Sequence, residues 1–185
     1  MKYRPDIDGL RSIAVLSVLL FHLGTTWLPG GFIGVDVFFV ISGYLITKNL
    51  TEQIERGGLS LIDFYDRRIR RIAPAALTVL VVTLLAGYFL LMPGDYASLG
   101  KSAVYSAFGA GNLFFFWHTD YFDREASLQP LLHMWSLGVE EQFYVAWPAV
   151  LALILRIAKR RRGLTISMIA VISAISFSVC LHELK

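Results

Sequence analysis

Two adjacent glutamates, a histidine and a tyrosine interrupt a long apolar stretch of this sequence, which covers residues 131–155. A charged group at the centre of a membrane helix costs at least about 2.5–3.5 kcal/mol, so it is kept where it faces a protein interior or a wet cavity. The polar set, together with one tryptophan of the same stretch, comprises His133, Trp135, Glu140, Glu141 and Tyr144. The pattern indicates a functional site inside a membrane-spanning segment.

Adjacent residues of a helix point about 100° apart, so Glu140 and Glu141 cannot face one point. We expect at least one of them to belong to the site, while the other pairs with a basic group or a helix terminus. His133, Trp135 and Tyr144 are candidate substrate-binding residues. Trp135 has an alternative interpretation as an aromatic residue of the membrane interface.

The composition is that of a polytopic membrane protein. Hydrophobic residues make up 56% of the 185 residues and charged residues 17%, against about 45–50% and 25% in soluble domains. Basic residues flank apolar spans and do not line a soluble face, which argues against nucleic-acid binding. No metal-ligand spacing is present, so we predict no metal.

Apolar runs predict an all-α protein with five membrane spans, at residues 10–28, 32–50, 72–92, 131–155 and 164–181. A basic amphipathic segment, 59–71, is predicted to lie on the membrane surface. Most lysines and arginines fall in three groups, and all three are cytoplasmic only if residues 96–117 do not cross. We therefore predict a cytoplasmic N-terminus and a re-entrant or surface-packed segment at 96–117.

The rise of about 1.5 Å per residue predicts the depth of each polar group. His22 follows Arg11 by eleven residues, which places it roughly 16 Å further out on the same helix face. Three carboxylates enter from the outer side, namely Asp36, Glu140 and Glu141. We expect Asp36 and one or both glutamates to share the level of His22 in the outer half of the membrane. Three arginines gather at the inner face, namely Arg11, Arg68 and Arg71.

These groups suit acid–base chemistry on the outer side. An imidazole titrates near neutral pH as a rule, so a histidine at position 22 can act as a general base, or it can carry an acyl group transiently. Asp36 can orient His22, as a carboxylate does in a catalytic triad, or it can pack against backbone donors near residues 30–31. Arg11 has an alternative interpretation as a snorkelling interfacial arginine.

Arg68 and Arg71 lie three residues apart, so they share one face of a helix. Their guanidinium groups can bind phosphate through paired hydrogen bonds. The alternative is that these arginines serve only topology and lipid contact, as arginines of cytoplasmic loops do.

The motifs, taken in order, resemble those of the integral-membrane acyltransferase family 3. The matching segments are YRPDIDGLR at 3–11, the Arg11–His22 pair, GGFIGVDVFFVISGY at 30–44, the Arg68-x-x-Arg71 element, and HMWSLGVEEQFY at 133–144. Members of the family usually have about ten membrane helices, and some add an extracytoplasmic SGNH-type domain. We therefore expect residues 1–185 to form one membrane domain that is incomplete at its C-terminus.

The resemblance implies transfer of an acyl group, acetyl above all, from cytoplasmic acetyl-CoA to a hydroxyl of an extracytoplasmic glycan such as lipopolysaccharide or peptidoglycan. It implies a protein of the bacterial inner membrane with no permanently bound cofactor. It places coenzyme binding at Arg68 and Arg71, and catalysis at Arg11, His22, Asp36, Glu140 and Glu141. Two alternatives stay open, a proton-coupled transporter and a non-catalytic fragment of the acyltransferase.

Overall fold

A computed structural model describes residues 4–58, 60–118, 129–159 and 161–183. Within these ranges every regular element is helical, which confirms the all-α prediction. The elements are α1 (Pro5–His22), a short 3-10 helix (Gly31–Ile33), α2 (Gly34–Glu55), α3 (Leu61–Leu90), α4 (Pro93–Ala107), α5 (Gly111–His118), α6 (Met134–Ile157) and α7 (Arg162–Glu183).

Four helical segments have the length and composition to cross a membrane, so the polytopic prediction is confirmed. They are Gly31–Ile54, Leu61–Leu90, Met134–Ile157 and Arg162–His182. The first helix, α1, differs because its 18 residues include Asp6, Asp8 and Arg11. It nevertheless exposes an apolar surface that contains Leu10, Ile13, Leu16 and Leu19. A total of five crossings stays a prediction that depends on α1.

The long helix α3 differs from the sequence-based boundaries. Residues 59–71 are predicted from the sequence to form a separate surface helix, but from Leu61 onward they are continuous with the span that follows. The side chain of Ser60 caps this helix by accepting a hydrogen bond from the backbone N–H of Asp63 at 3.2 Å. Pro74 lies inside the helix and does not end it. Arg68 and Arg71 therefore belong to the same rigid element as the apolar span.

The segment predicted not to cross forms a hairpin of two short helices. Helix α4 has 15 residues and α5 has eight, whereas a transmembrane helix needs about 20. Leu99 of α4 packs on α3 at Gly87, and the turn after α4 lies further down α3, where Phe108 shares a cavity with Ile72. The hairpin thus runs back along α3 and returns, as a re-entrant segment does.

Two glycines allow the beginning of α2 to approach α1 more closely than other residues would. A Cβ atom at Gly34 would overlap the carbonyl oxygen of Ala14 and the hydroxyl of Ser17, and a Cβ atom at Gly31 would overlap the carbonyl oxygen of Ser17. Backbone atoms cannot move aside easily, so only glycine fits. This contact holds the end of α1, with His22, beside the first turns of α2.

Two apolar clusters hold helices α2 to α6 together. The first joins the re-entrant hairpin to α3 and to the start of α6, and contains Leu80, Leu99, Ala103, Phe114, Phe115, Leu131 and Met134. The second joins α2, α3 and α6, and contains Ile46, Leu50, Phe64, Tyr144 and Leu151. Helix α6 takes part in both clusters, so its polar residues face neighbours on several sides.

Candidate functional site

Two cavities lie on different sides of α6, and we name them by the predicted topology. The outer cavity, of about 550 Å³, lies between α1, α2 and α6, and His22, Phe38, His133, Ser136 and Glu140 contribute to its wall. The inner cavity, of about 440 Å³, lies between α3, α6 and the turn of the re-entrant hairpin, and Tyr65, Arg68, Phe108, Glu141 and Tyr144 contribute to its wall. Both volumes are typical of small-molecule sites.

The two adjacent glutamates face different cavities. Glu140 lines the outer cavity and Glu141 lines the inner cavity, as their angular separation on a helix requires. Glu141 lies against the turn between α4 and α5, where Gly109 has a φ of +67° and a Cβ atom would overlap the carboxylate. One sequence motif therefore supplies an acidic group to each of two compartments.

A hydrogen bond of Tyr144 links the two cavities. The Tyr144 hydroxyl donates to the Glu140 carboxylate one turn earlier on α6, while the Tyr144 ring lines the inner cavity. The side chain of Tyr144 is only 5% exposed, and Cζ of Arg68 lies 4.4 Å from the centre of its ring. Arg68 on α3 is therefore only one side chain away from the outer cavity.

His22 and His133 line the same outer cavity. The Nδ1 atom of His22 lies 2.8 Å from the carbonyl oxygen of Val18 on the preceding turn. Because a carbonyl oxygen only accepts, this contact requires a proton on Nδ1, and a neutral His22 then carries its lone pair on Nε2. This arrangement suits a base that takes a proton from a substrate hydroxyl.

Not every predicted residue joins a cavity. Asp36 is exposed in the first turn of α2, and the described residues show no contact between it and His22, so the expected Asp36–His22 pair is not formed. Its position suits the alternative, because a carboxylate is stabilised near a helix N-terminus. Arg71 is exposed, whereas Arg68, three residues earlier, lines the inner cavity.

Arg11 and Trp135 lie beside the cavities and do not line them. The Cζ atom of Arg11 lies 4.9 Å from the ring centre of Phe38, a wall residue of the outer cavity. Its Nε atom is buried without a hydrogen-bond partner among the described residues. Trp135 packs edge-on against Phe39, with ring centres 6.3 Å apart. The three predicted substrate-binding residues thus separate: His133 lines the outer cavity, Tyr144 lines the inner one, and Trp135 lies behind the outer wall, against Phe39.

The sequence analysis missed the group that holds the re-entrant turn in place. Gln142 donates from Nε2 to the Gly109 carbonyl oxygen at 3.1 Å and to Oδ1 of Asn112 at 2.8 Å. Asn112 donates in return to Oε1 of Gln142 at 3.2 Å. The available signal was the glycine-rich run 109–112 within a segment predicted not to cross, together with an amide next to the two glutamates.

The family model described as "Acyltransferase domain" matches residues 4–184 of the chain. No solved structure matches the chain. The match therefore covers nearly the whole sequence, including every residue that lines either cavity.

Three curated relatives agree with that match. The chain is 45% identical to peptidoglycan O-acetyltransferase OatA of Listeria monocytogenes over 160 residues, which are 85% of the chain and 26% of the relative. It is 42% identical to putative peptidoglycan O-acetyltransferase YrhL of Bacillus subtilis over 183 residues, which are 96% of the chain and 28% of the relative. It is 36% identical to O-acetyltransferase OatA of Staphylococcus aureus over 183 residues, which are 98% of the chain and 30% of the relative.

The chain spans less than a third of the length of these relatives. Its own motifs, its helical membrane architecture and the family model all lead to the same assignment. The chain belongs to the integral-membrane acyltransferase family 3.

Proposed function

We propose that this chain forms part of a membrane O-acetyltransferase that moves an acetyl group from cytoplasmic acetyl-CoA to a hydroxyl of peptidoglycan. The main support is the pair of cavities of different chemistry on one helix, joined by the Tyr144–Glu140 hydrogen bond. The names of two relatives favour peptidoglycan over lipopolysaccharide as the acceptor.

The orientation of the proposal follows the positive-inside rule. Basic residues just before and within the first turns of α3, and around the connection between α6 and α7, favour a cytoplasmic position for both connections. The N-terminus is then cytoplasmic, the protein lies in the cell membrane, and the inner cavity faces the donor. His22 and His133 lie towards the outer side, where the acceptor is found.

The inner cavity suits the donor. Arg68 provides a cationic group that binds phosphate, and Arg71 adds charge nearby on the same helix. The rest of the wall is largely apolar, with Ile69, Ile72 and Val145, and can accommodate the uncharged arm that carries the thioester. Such a mixture of a few polar groups in an apolar wall is typical of ligand sites.

The outer cavity suits the acceptor. His22 takes the proton of the acceptor hydroxyl on Nε2 while the hydroxyl oxygen attacks the thioester carbonyl carbon. The carbon–sulfur bond breaks, the coenzyme leaves as a thiolate, and the proton held by His22 returns to the sulfur. Glu140 lies in the same cavity and stabilises the imidazolium that forms. An acyl-histidine intermediate is the alternative route through the same residue.

The first test is incorporation of labelled acetate. The protein would be expressed in cells, and inverted membrane vesicles formed around soluble peptidoglycan fragments would receive, from outside, acetyl-CoA labelled in the acetyl group. We expect label that mild alkali releases from peptidoglycan, because O-acetyl esters are alkali-labile.

Vesicles from cells that carry the empty vector are the control. Label that never reaches the glycan, despite equal amounts of protein in the membrane, would contradict the proposal. A proton-coupled transporter needs no acyl donor, so proton movement that is independent of acetyl-CoA, with no label transferred, would support that alternative.

A further inference from the structure

We propose that Tyr144 is a gate, whose hydrogen bond to Glu140 closes a passage between the two cavities. The role of the gate rests on the proposed function, in which an acetyl group passes from the inner cavity to the outer one. The location of the gate rests on the contacts of Tyr144 in the structure.

The position of the gate follows from which side chain lines which cavity. Glu140 belongs to the outer wall and Tyr144 to the inner wall. The two residues are four apart on α6, so their side chains lie one above the other on neighbouring turns. The bond between the Tyr144 hydroxyl and the Glu140 carboxylate is therefore a direct contact between the two compartments.

The surroundings of Tyr144 are side chains, which can move more readily than backbone. Ser42 on α2 is 5% exposed, and its hydroxyl lies beside that of Tyr144. Helix α2 thus places a small side chain beside the Tyr144 hydroxyl. The other neighbours of Tyr144 are the apolar side chains of the second cluster, which must shift when the ring rotates.

Arg68 couples the gate to the donor site. Its guanidinium lies on the Tyr144 ring and at the same time lines the inner cavity. A donor phosphate that binds Arg68 competes with this cation–π contact. Donor binding thereby weakens one of the contacts that hold the ring in the closed position.

A closed state has a clear benefit in a membrane. A permanently open passage would admit water to the thioester and let ions cross between the compartments. A tyrosine held at both its hydroxyl and its ring blocks this route while the donor is absent. The passage then opens only when there is an acyl group to transfer.

Cysteine accessibility tests the gate without any acyl transfer. In the full-length protein all cysteines, Cys180 included, are replaced by serine, and Ala73→Cys then places one thiol in the wall of the inner cavity. Right-side-out membrane vesicles, washed free of acetyl-CoA so that the gate is closed, are treated from outside with a sulfonated, membrane-impermeant maleimide. We expect little labelling with Tyr144 present and at least tenfold faster labelling with Tyr144→Ala.

The controls use residues of the same two cavities. Ser136→Cys, in the outer cavity, should be labelled from outside with or without Tyr144. Tyr65→Ala removes another tyrosine of the inner cavity, but the Tyr65 hydroxyl donates to the Val145 carbonyl oxygen at 3.1 Å and not to Glu140. Labelling of Ala73→Cys should therefore stay low in Tyr65→Ala.

A milder variant covers the case in which Tyr144→Ala does not accumulate in the membrane. Tyr144→Phe retains the ring and its contact with Arg68 but loses the bond to Glu140, and we expect labelling to rise about threefold. Equal labelling of Ala73→Cys with and without the Tyr144 changes, while Ser136→Cys is labelled normally, would overturn the gate. That result would leave the transferase proposal untouched, since labelling measures access and not acetylation.

Discussion

The two cavities share α6 but are built in different ways. The outer cavity is walled by α1 and α2, whose close approach depends on Gly31 and Gly34. The inner cavity is closed on one side by a re-entrant turn, which hydrogen bonds from Gln142 hold against α6. The difference shows that residues next to each other in sequence can serve separate compartments, whereas residues four apart, Glu140 and Tyr144, connect them.

The largest effect is expected when the proposed base of the outer cavity is removed. His22→Ala removes the proposed base, and we expect transfer to fall by at least about 100-fold, because a positioned general base contributes about 10²–10⁴-fold. Acetate transfer by membrane vesicles, at matched protein levels, measures it. The control is His182→Ala, since His182 lies in the last turn of α7, outside both cavities. Full activity of His22→Ala would refute its assignment as the base.

The next largest effect distinguishes Arg68 from Arg71, two arginines of the inner side. Arg68→Ala should raise the KM for acetyl-CoA roughly tenfold or more, because a hydrogen bond to a charged group contributes about 1.5–3 kcal/mol. Arg71→Ala should change it much less, since Arg71 is exposed and does not line the cavity. Titration of acetyl-CoA in inverted vesicles measures both. Equal effects would mean that the coenzyme contacts both arginines.

A third change disturbs the re-entrant turn. Gly109→Ala places a side chain at φ +67° and against Glu141. We expect the free energy of unfolding to fall by about 1–2 kcal/mol from the left-handed backbone conformation alone. Thermal unfolding of the purified protein in detergent measures it as a lower Tm. Gly100→Ala is the matched control, because a Cβ atom there has nothing within 4 Å. An unchanged Tm for Gly109→Ala would show that the turn adapts.

The smallest effect concerns Asp36. Because Asp36 is exposed and makes no contact with His22 among the described residues, Asp36→Asn should change transfer by no more than about twofold, the scale of an ordinary surface substitution. The same vesicle assay, run beside His22→Ala, provides the comparison. A loss as large as that of His22→Ala would place Asp36 in the catalytic group after all.

The long membrane-spanning helices could be predicted from the sequence, because the length of an apolar run is a local property of the chain. The segment 96–117, which the charge pattern predicts not to cross, forms the hairpin of α4 and α5; its position relative to the bilayer stays a prediction. The sequence-based prediction failed at the start of α3, where charged residues lower the hydropathy but do not interrupt the helix. Pro74 was similarly uninformative, because it lies inside α3 and does not end it.

The contacts within the site were harder to predict than the residues. Angular spacing alone separated Glu140 from Glu141, but it did not show which residues meet each of them. The rise per residue predicted Arg68 at the inner face and the glutamates nearer the outer face. In the structure, Arg68 contacts the ring of Tyr144, whose hydroxyl bonds Glu140. That contact depends on how α3 packs against α6, and one sequence carries no direct record of such packing.

The re-entrant hairpin has a consequence for how the protein is made. Neither α4 nor α5 is long enough to enter a bilayer as a helix of its own, and the backbone groups at their turn must be satisfied by protein, not by lipid. The amide that holds this turn is Gln142, which the ribosome adds more than thirty residues after Gly109. The hydrogen bonds that hold the turn can therefore form only after this part of α6 has been synthesised, and we expect the inner cavity to be completed late in biogenesis.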